Sequence, residues 1–307
     1  MSDLKLFHID AGAVTELPNA SVALEKSLQT LIEQHLDAFL GVRFLATEHH
    51  TGQKHKGRID TLGIDENGCP VIIEYKRSIN ENVINQGLFY LDWLMDHKAD
   101  FRWLVLERLG KETADSIEWS APRLICIAGD FTRYDEHAVQ QINRNIELIR
   151  YRRFGEALLL LEMVNAVTAE PVETAVALSV GKQIKPSHDS SDITYRLAKA
   201  SPATRDLYDA LATFLLSLGD DVQQKTLKYY FAFRRIKNFA GVEIFPQKGT
   251  VVVYVKLNPD ELTLEAGFTR DVRQVGHFGT GSLEITLSTL DDLQKAQPLL
   301  VKSYELS

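Results

Sequence analysis

The amino-acid sequence predicts an α/β amino-terminal domain with a mixed sheet, followed by a smaller α+β domain. The chain has 307 residues, about twice the roughly 150 residues expected of one domain. Its first half alternates helical and extended apolar patterns in the order α-β-β-β-α-β, which is typical of a mixed sheet covered by helices. Residues 166–198 lose this periodicity and are rich in polar residues, as linkers are. We therefore place the two domains at residues 1–165 and 199–307.

The first domain opens with a pair of short predicted strands, at about 4–8 and 13–17. The apolar spacing over residues 21–40 predicts one amphipathic helix. The other elements follow in chain order: strands near 43–48, 58–65 and 70–77, a helix near 81–97, strands near 101–107 and 123–128, a helix near 134–147, and strands near 147–153 and 157–163.

The second domain is predicted to contain helices at about 202–218, 222–236 and 289–303, with strands near 240–246, 250–256, 266–273 and 282–287. Basic and aromatic residues alternate over residues 222–236. Such a pattern can bind single-stranded nucleic acid, but aromatic residues at helical spacing also form cores. Both interpretations are open at this point.

Charge and composition narrow the class of function. The formal net charge is −8, and residues 171–307 contain 16 basic and 16 acidic residues, so the acidic excess lies in the first half. The strongly basic footprint of a sequence-independent nucleic-acid binder is therefore absent. A function directed at phosphates would require a local site, or a metal that offsets clustered carboxylates.

Several kinds of segment and site are not expected. Cys69 and Cys126 are the two cysteines, too few for a disulfide framework or a Cys-rich zinc site and compatible with a reducing compartment. The apolar runs fall short of the roughly 18–20 residues that cross a bilayer. The opening residues lack the pattern of a signal peptide. We expect a cytoplasmic protein with no membrane span.

The segment GRIDTLGIDENGCPVIIEYKR at 57–77 combines charged residues with two predicted strands. Asp60 lies in the first strand, while Glu74 and Lys76 lie two apart in the second and so project from one face. The second strand is nearly continuously apolar before Glu74, which indicates that both of its faces are covered. Buried charges are costly unless they are paired or bind a metal. A structural ion pair between Glu74 and Lys76 is the alternative to a functional site.

The register of this hairpin decides whether the two acids meet. If Asn67 and Gly68 formed a two-residue turn, Asp60 would lie opposite Tyr75 and point away from Glu74. If residues 66–68 form a three-residue loop with Gly68 in the left-handed conformation, Asp60 lies opposite Glu74. Directly opposed Cβ atoms are roughly 4.5–5.5 Å apart, close enough for two carboxylates to bind one divalent cation. We predict the three-residue loop.

The spacing of Asp60, Glu74 and Lys76 resembles the signature of the PD-(D/E)XK, or restriction-endonuclease-like, nuclease superfamily. It is most similar to the nuclease domain of NucS-type endonucleases. Gln86 and Tyr90 match a Gln-x-x-x-Tyr element of that group. The similarity covers roughly residues 20–105 and implies a restriction-endonuclease-like fold and a metal-dependent DNA nuclease.

The resemblance also implies roles for individual residues. Asp60, Glu74 and the main-chain carbonyl of Tyr75 would bind Mg²⁺ or Mn²⁺, and Lys76 would act on the attacking water or on the transition-state charge. Glu25 would be the acidic residue that the first helix contributes to the site. Gln86 and Tyr90 would position the scissile phosphate. Arg58 and Arg77 would be basic contacts to phosphates.

Two points remain open at the sequence level. NucS-type proteins have a DNA-binding β-domain ahead of the nuclease, whereas about 20 residues precede the first helix here, so their substrate specificity is not implied. The second half resembles a domain of unknown function sometimes labelled a predicted transport protein.

DNA is the expected partner, and the second domain is a possible contact with a second copy or another protein. The rival function is a non-catalytic binding module that keeps the nuclease fold.

Overall fold

The computed structural model describes residues 4–20, 25–52, 56–76, 83–155, 157–167 and 191–307. The chain divides into two compact units, residues 1–170 and 171–307, and each is described by itself below. In the described residues, no helix is long and apolar enough to cross a membrane.

The first unit contains helices on a mixed sheet. Its described elements are β1 (Leu6–Asp10), β2 (Ala13–Leu17), β3 (Asn19–Ala20), α1 (Glu25–Gln34), α2 (Leu36–Leu40), β4 (Val42–His50), β5 (Arg58–Asp65), β6 (Pro70–Lys76), α3 (Val83–Asp96), α4 (Lys98–Leu109), α5 (Lys111–Asp115), β7 (Arg123–Ala128), α6 (Arg133–Gln140), β8 (Asn145–Phe154) and β9 (Leu158–Val167).

The sheet of the first unit has the order β9-β8-β7-β6-β5-β4 among the described residues, with β3 paired to the end of β8. Strands β4, β5 and β6 are antiparallel. Strands β6, β7 and β8 are parallel, and β9 returns antiparallel to β8. The hairpin β1-β2 forms a separate two-stranded sheet.

Strand β6 lies at the centre of this sheet and is covered on both faces. Its residues from Pro70 to Tyr75 are buried, with α1 and α3 both in contact with the strand. The continuous apolar run in the sequence predicted this burial, which is typical of a strand between two helical layers.

The β5-β6 hairpin has the predicted three-residue loop. The Asp65 N–H donates to the Cys69 carbonyl at 2.9 Å, and the Gly68 N–H donates to the Asp65 carbonyl at 3.0 Å. Gly68 has φ +77°, which is the left-handed conformation that favours glycine. The ladder then runs from Ile64 opposite Pro70 to Thr61 opposite Ile73. The predicted register is therefore confirmed.

A buried ion cluster joins three strands of the sheet. The Arg123 guanidinium on β7 donates to Asp65 on β5 at 2.9 Å and to both carboxylate oxygens of Glu147 on β8 at 2.8 Å. All three side chains are almost fully buried. Asp65 also accepts from the N–H groups of Asn67 and Cys69, each at 2.9 Å, which fixes the hairpin loop. The spacing of Asp65, Arg123 and Glu147 along the chain does not indicate this cluster.

The second unit is an antiparallel sheet with helices against one face. Its elements are α7 (Ile193–Lys199), α8 (Pro202–Leu216), β10 (Gln223–Thr226), β11 (Phe231–Arg234), β12 (Asn238–Phe245), β13 (Thr250–Val255), a 3₁₀ turn (Pro259–Glu261), β14 (Thr269–Asp271), β15 (Leu283–Leu287) and α9 (Leu290–Glu305). The strand order is β10-β11-β12-β13-β15-β14, with antiparallel pairing throughout residues 191–307. A mixed-sheet α/β unit followed by an α+β unit confirms the predicted fold class.

The strand predicted at 101–107 is wrong. These residues belong to α4, which spans Lys98–Leu109. Phe101 and Val105 are its buried residues and lie four apart, as on one face of a helix. The apolar, partly β-branched segment FRWLVL suggested a strand, because a short apolar run does not separate the two periods.

The helix predicted at 222–236 is also wrong. Strands β10 and β11 pair antiparallel here, with Thr226 opposite Phe231. Phe231 and Phe233 alternate into the core of the second unit. Their spacing of two fits a strand, and the flanking aromatic residues had concealed it within an apparent helical pattern.

Other boundaries differ in smaller ways. The helix predicted near 134–147 is α6, which ends at Gln140, and residues 145–147 belong to β8. The helix predicted over 21–40 is divided into α1 and α2 around His35, and residues 21–24 lie outside the described residues. Most of the predicted linker, residues 168–190, also lies outside them. Its last residues form α7, whose Ile193 is buried in the core of the second unit.

Candidate active site

Asp60 and Glu74 face each other on β5 and β6, one step beyond the last paired residues of the ladder. Each carboxylate accepts a hydrogen bond from the opposite backbone. The Tyr75 N–H donates to Asp60 Oδ2 at 3.0 Å, and the Asp60 N–H donates to Glu74 Oε1 at 3.2 Å. Two acidic side chains thus meet at the point where the main-chain pairing of the two strands ends.

Burial governs the electrostatics of this pair. Glu74 is fully buried and Asp60 is half-buried. Loss of hydration raises the pKa of the Asp60 carboxyl, an effect that outweighs the hydrogen bond from the Tyr75 N–H and the nearby charge of Lys76. A cation bound beside Asp60 and Glu74, in addition to Lys76, would favour the ionised form of both carboxyl groups, because a nearby positive charge stabilises a buried carboxylate.

Lys76 ends β6, two residues after Glu74, and is half-buried. Its charge lowers the pKa of Asp60, which indicates that the ammonium lies near the carboxylates. The structure therefore sets Asp60 opposite Glu74, with Lys76 two residues beyond Glu74 on the same strand. Glu25 begins α1, but its side chain is not among those described, and Arg77 lies outside the described residues. The roles assigned to both of these residues stay predictions.

Helix α1 fixes the backbone of Asp60 from the other side of the sheet. Gln29 Nε2 donates to the Asp60 carbonyl at 2.9 Å and to Glu33 Oε1 at 2.9 Å. Glu33 also accepts from Thr61 Oγ1 at 2.6 Å, and Thr61 lies 3.4 Å from the Tyr75 hydroxyl. This buried polar network restrains the strand positions that carry the two acids.

Glu48 is a neighbour of the site that the sequence analysis missed. Thr47 pairs with Thr61 and His49 with Ile59, so Glu48 lies opposite Asp60 on its other side. Its carboxylate accepts from Lys26 at 2.6 Å and contacts the Arg58 guanidinium. Lys26 is the main cause of the lowered pKa of Glu48, and Glu48 in turn helps to raise the pKa of Asp60.

Gln86 and Tyr90 of α3 also come together beside this strand. Gln86 Nε2 donates to the Tyr90 hydroxyl at 3.2 Å, and the Arg58 N–H donates to the same hydroxyl at 3.1 Å. A Cβ on Gly57 would lie 2.4 Å from Tyr90 Cε1, so glycine at this position allows the ring to approach. The Arg58 side chain is exposed, as a phosphate contact would be.

We expect Tyr90→Phe to lower the free energy of unfolding by about 1–2 kcal/mol. The Tyr90 side chain is buried and its hydroxyl is the acceptor for two donors, which the variant leaves without that partner. Urea unfolding at neutral pH measures this change. Tyr134→Phe is the control, since Tyr134 is 70% exposed. Equal stability of Tyr90→Phe and the wild type would show that the two hydrogen bonds to the Tyr90 hydroxyl do not stabilise the fold.

The donor set of Asp60 and Glu74 suits a hard divalent cation. Carboxylate and main-chain carbonyl oxygens are the ligands that Mg²⁺ and Mn²⁺ prefer, and Mg²⁺ completes its shell with water and substrate oxygens. Nowhere in the described part of the chain do three His, Cys, Asp or Glu side chains cluster as a metal site. Asp60 and Glu74 alone would give a cation two carboxylate ligands, and water and substrate would have to supply most of the others.

The chain is similar to a family model and to a curated protein, and neither description states an activity. Residues 193–307 match the family model described as a domain of unknown function, DUF5655. Across 313 residues the chain is 29% identical to an uncharacterized protein of Haemophilus influenzae, an alignment that covers 98% of this chain and 100% of that protein.

Two solved structures are similar to part of the chain. The crystal structure of a repair endonuclease from Pyrococcus abyssi aligns with a TM-score of 0.28 and 19% identity, covering 45% of this chain and 51% of that chain. The structure of an EndoMS-dsDNA2 complex aligns with a TM-score of 0.25 and 20% identity, covering 43% of this chain and 47% of that chain. The chain thus spans about half the length of each.

Proposed function

We propose that this protein is a metal-dependent DNA nuclease of the PD-(D/E)XK type, which hydrolyses phosphodiester bonds with Mg²⁺ or Mn²⁺. One observation carries the proposal. The hairpin register sets Asp60 opposite Glu74 at the end of the ladder, with Lys76 on the same strand as Glu74. The signature in the sequence becomes a single site only in this register.

The chemistry requires a sink for negative charge and an activated water, because phosphodiester hydrolysis is extremely slow in water. Asp60, Glu74 and the Tyr75 carbonyl would hold the cation. When bound, the cation lowers the pKa of water and offsets charge on the phosphate.

The remaining side chains act on water and substrate. Lys76 orients the attacking water and helps its deprotonation, or, as an ammonium, stabilises charge on the transition state. Tyr90 and Gln86 position the scissile phosphate, and the exposed Arg58 guanidinium contacts a neighbouring phosphate. In this account, Gln29 of α1 restrains the Asp60 backbone without contacting the substrate.

A second candidate function is a binding module without catalysis. It is favoured by the hydrogen bonds that tie both carboxylates to the opposite backbone, which are compatible with a purely structural role. The acidic excess of the first half gives no additional attraction for DNA.

Incubation of the full chain with labelled single-stranded, duplex and flapped DNA separates the two candidates. We expect cutting of at least one substrate with Mg²⁺ or Mn²⁺ and none with a chelator. If no substrate is cut with either metal, the binding module is the better account. Cutting that is insensitive to the chelator would contradict the metal dependence.

The pKa of Asp60 gives a prediction about pH. Because burial raises this pKa above its ordinary value of about 3.9, the folded state binds the proton more tightly than the unfolded state. The resulting stabilisation is complete below the ordinary pKa and is lost as the pH rises through the raised pKa. At neutral pH in chelator, Asp60→Asn should therefore be at least as stable as the wild type.

Thermal unfolding across the acid to neutral range measures this effect. Mn²⁺ should raise the Tm of the wild type at neutral pH, and much less so at acidic pH, where the proton competes for Asp60. Asp60→Asn should show little response to the metal. A clear loss of stability in Asp60→Asn in chelator at neutral pH would be evidence against the predicted sign.

A further inference from the structure

A basic and aromatic cleft lies in the second unit, beside the turn that joins β12 and β13. It has a volume of about 530 Å³ and lies between α7 and residues 244–248. This volume is within the range of ligand-binding pockets, roughly 300–1,000 Å³. We propose that the cleft binds an unpaired DNA strand, with bases on its aromatic rings and phosphates on its lysines.

The charge of the cleft favours an anionic ligand. Lys199, Lys248 and Arg196 line it. Arg196 contacts the buried Glu243 at 3.4 Å, so its charge is largely offset. Lys199 and Lys248 are both exposed and, among the described residues, neither forms an ion pair with a carboxylate. Two positive charges thus remain available for phosphate oxygens.

The rings of Tyr195 and Phe245 provide surfaces for stacking. Lys199 lies over the Tyr195 ring at 5.7 Å, and Lys248 over the Phe245 ring at 5.5 Å. Exposed cation–π pairs are worth only about 0.5–1 kcal/mol, so a phosphate can attract either ammonium away from its ring. Aromatic rings with adjacent cations are the usual means by which proteins hold single strands without reading sequence.

A second hollow continues from the first along the open face of the sheet. It has a volume of about 310 Å³ and shares Phe245 and Lys248 with the cleft. Thr250, Thr286 and Arg270 are among its lining residues. The hydroxyl groups can contact a further phosphate. Arg270 donates to Glu284 of the same hollow at 2.6 Å, so the charge of its guanidinium is largely offset. Two connected hollows with a shared ring and cation suit a chain of nucleotides better than one free nucleotide.

This location differs from the one that the sequence suggested. The basic and aromatic segment at 222–236 places Lys225, Arg234, Phe231 and Phe233 in the interior, where they are not accessible to a strand. The stacking rings of the cleft come instead from α7 and from the end of β12. An acidic peptide would also be attracted by the lysines, but it would not require the two rings.

Fluorescence anisotropy with labelled oligothymidylate tests the proposal on the full chain. Chelator and the Asp60→Asn background prevent cutting, so that binding is measured whether or not the protein is a nuclease. We expect Lys199→Glu with Lys248→Glu to weaken binding at least about tenfold. The slope of log affinity against log salt should become shallower by about 1.4, that is, two phosphates at about 0.7 each.

Two further variants separate stacking from charge. Tyr195→Ala should weaken binding about fivefold or more while leaving the salt slope unchanged. Arg205→Glu with Lys302→Glu is the control, because it changes the net charge equally outside the cleft, and we expect less than about a twofold effect.

Four results would overturn the proposal. They are the absence of oligothymidylate binding, equal weakening by the control pair, tighter binding of oligouridylate than of oligothymidylate, and displacement of the oligonucleotide by a mononucleotide or an acidic peptide at equal concentration.

Discussion

Replacing Glu74 by Gln is expected to reduce the rate of DNA cleavage at least about 100-fold, because the cation loses one of its two charged ligands. The substitution preserves shape, and the amide oxygen can still accept from the Asp60 N–H that now binds Glu74 Oε1. Folding should therefore persist although Glu74 is fully buried. Single-turnover cleavage with Mg²⁺, alongside circular dichroism, measures both effects.

Two further variants, a control and a second site variant, are compared with Glu74→Gln in the same cleavage assay. Asp92→Asn removes an exposed carboxylate from α3 and should cut like the wild type. Lys76→Met should also lose about 10²–10⁴-fold in rate, as expected for a residue that transfers or orients a proton. Cutting that persists in both Glu74→Gln and Lys76→Met would point to a contaminating nuclease and not to this site.

Arg123→Ala is expected to lower the free energy of unfolding by about 3–5 kcal/mol, because it leaves two buried carboxylates without their cation. Asp65 and Glu147 are almost fully buried, and both are bonded to this guanidinium. Since Asp65 also fixes the β5-β6 loop, cleavage should be lost at temperatures where the wild type is active. Chemical denaturation of the full chain measures the change for the first unit.

Arg102→Ala is the matched control for Arg123→Ala. Arg102 also pairs with an acid, Asp115, but both side chains are about half exposed, so the expected loss is within about 1 kcal/mol. If the two variants were equally stable, the buried cluster would not contribute the expected stabilisation.

The hairpin shows how much local sequence can determine. Gly68, three residues after Asp65, favours the left-handed position of a three-residue loop, and that loop alone sets Asp60 opposite Glu74. Because the side-chain period of a strand is two, one turn fixes the face of every residue in both strands. The strands predicted near 58–65 and 70–77 from the same apolar pattern correspond to β5 (Arg58–Asp65) and β6 (Pro70–Lys76).

Contacts between residues far apart in the sequence could not be predicted from a local turn. Glu48 lies opposite Asp60 only because a register shift between Phe44 and Ala46 displaces the β4-β5 ladder. Such a bulge has no reliable signature in a single sequence. Likewise, Arg123 joins two acids 58 and 24 residues away. Their proximity depends on the order of β5, β7 and β8 in the sheet, which chain order alone does not specify.

The two errors in secondary structure have one physical origin. The segments at 98–109 and 223–234 are short and mix aromatic with basic residues. In each, periods of two and of about four fit the apolar positions equally well. The burial of Phe101 with Val105 and of Phe231 with Phe233 decides between the periods, and that burial is a property of tertiary packing.

Titration of the chelator-treated full chain with Mn²⁺, followed by calorimetry, tests the central claim most directly. The account predicts that the wild type binds Mn²⁺ at Asp60 and Glu74, and that Asp60→Asn weakens this binding at least about tenfold, whereas Asp92→Asn leaves it unchanged. Equal Mn²⁺ affinity in the wild type and Asp60→Asn would contradict the account, since the two facing acids would then have no part in holding a cation.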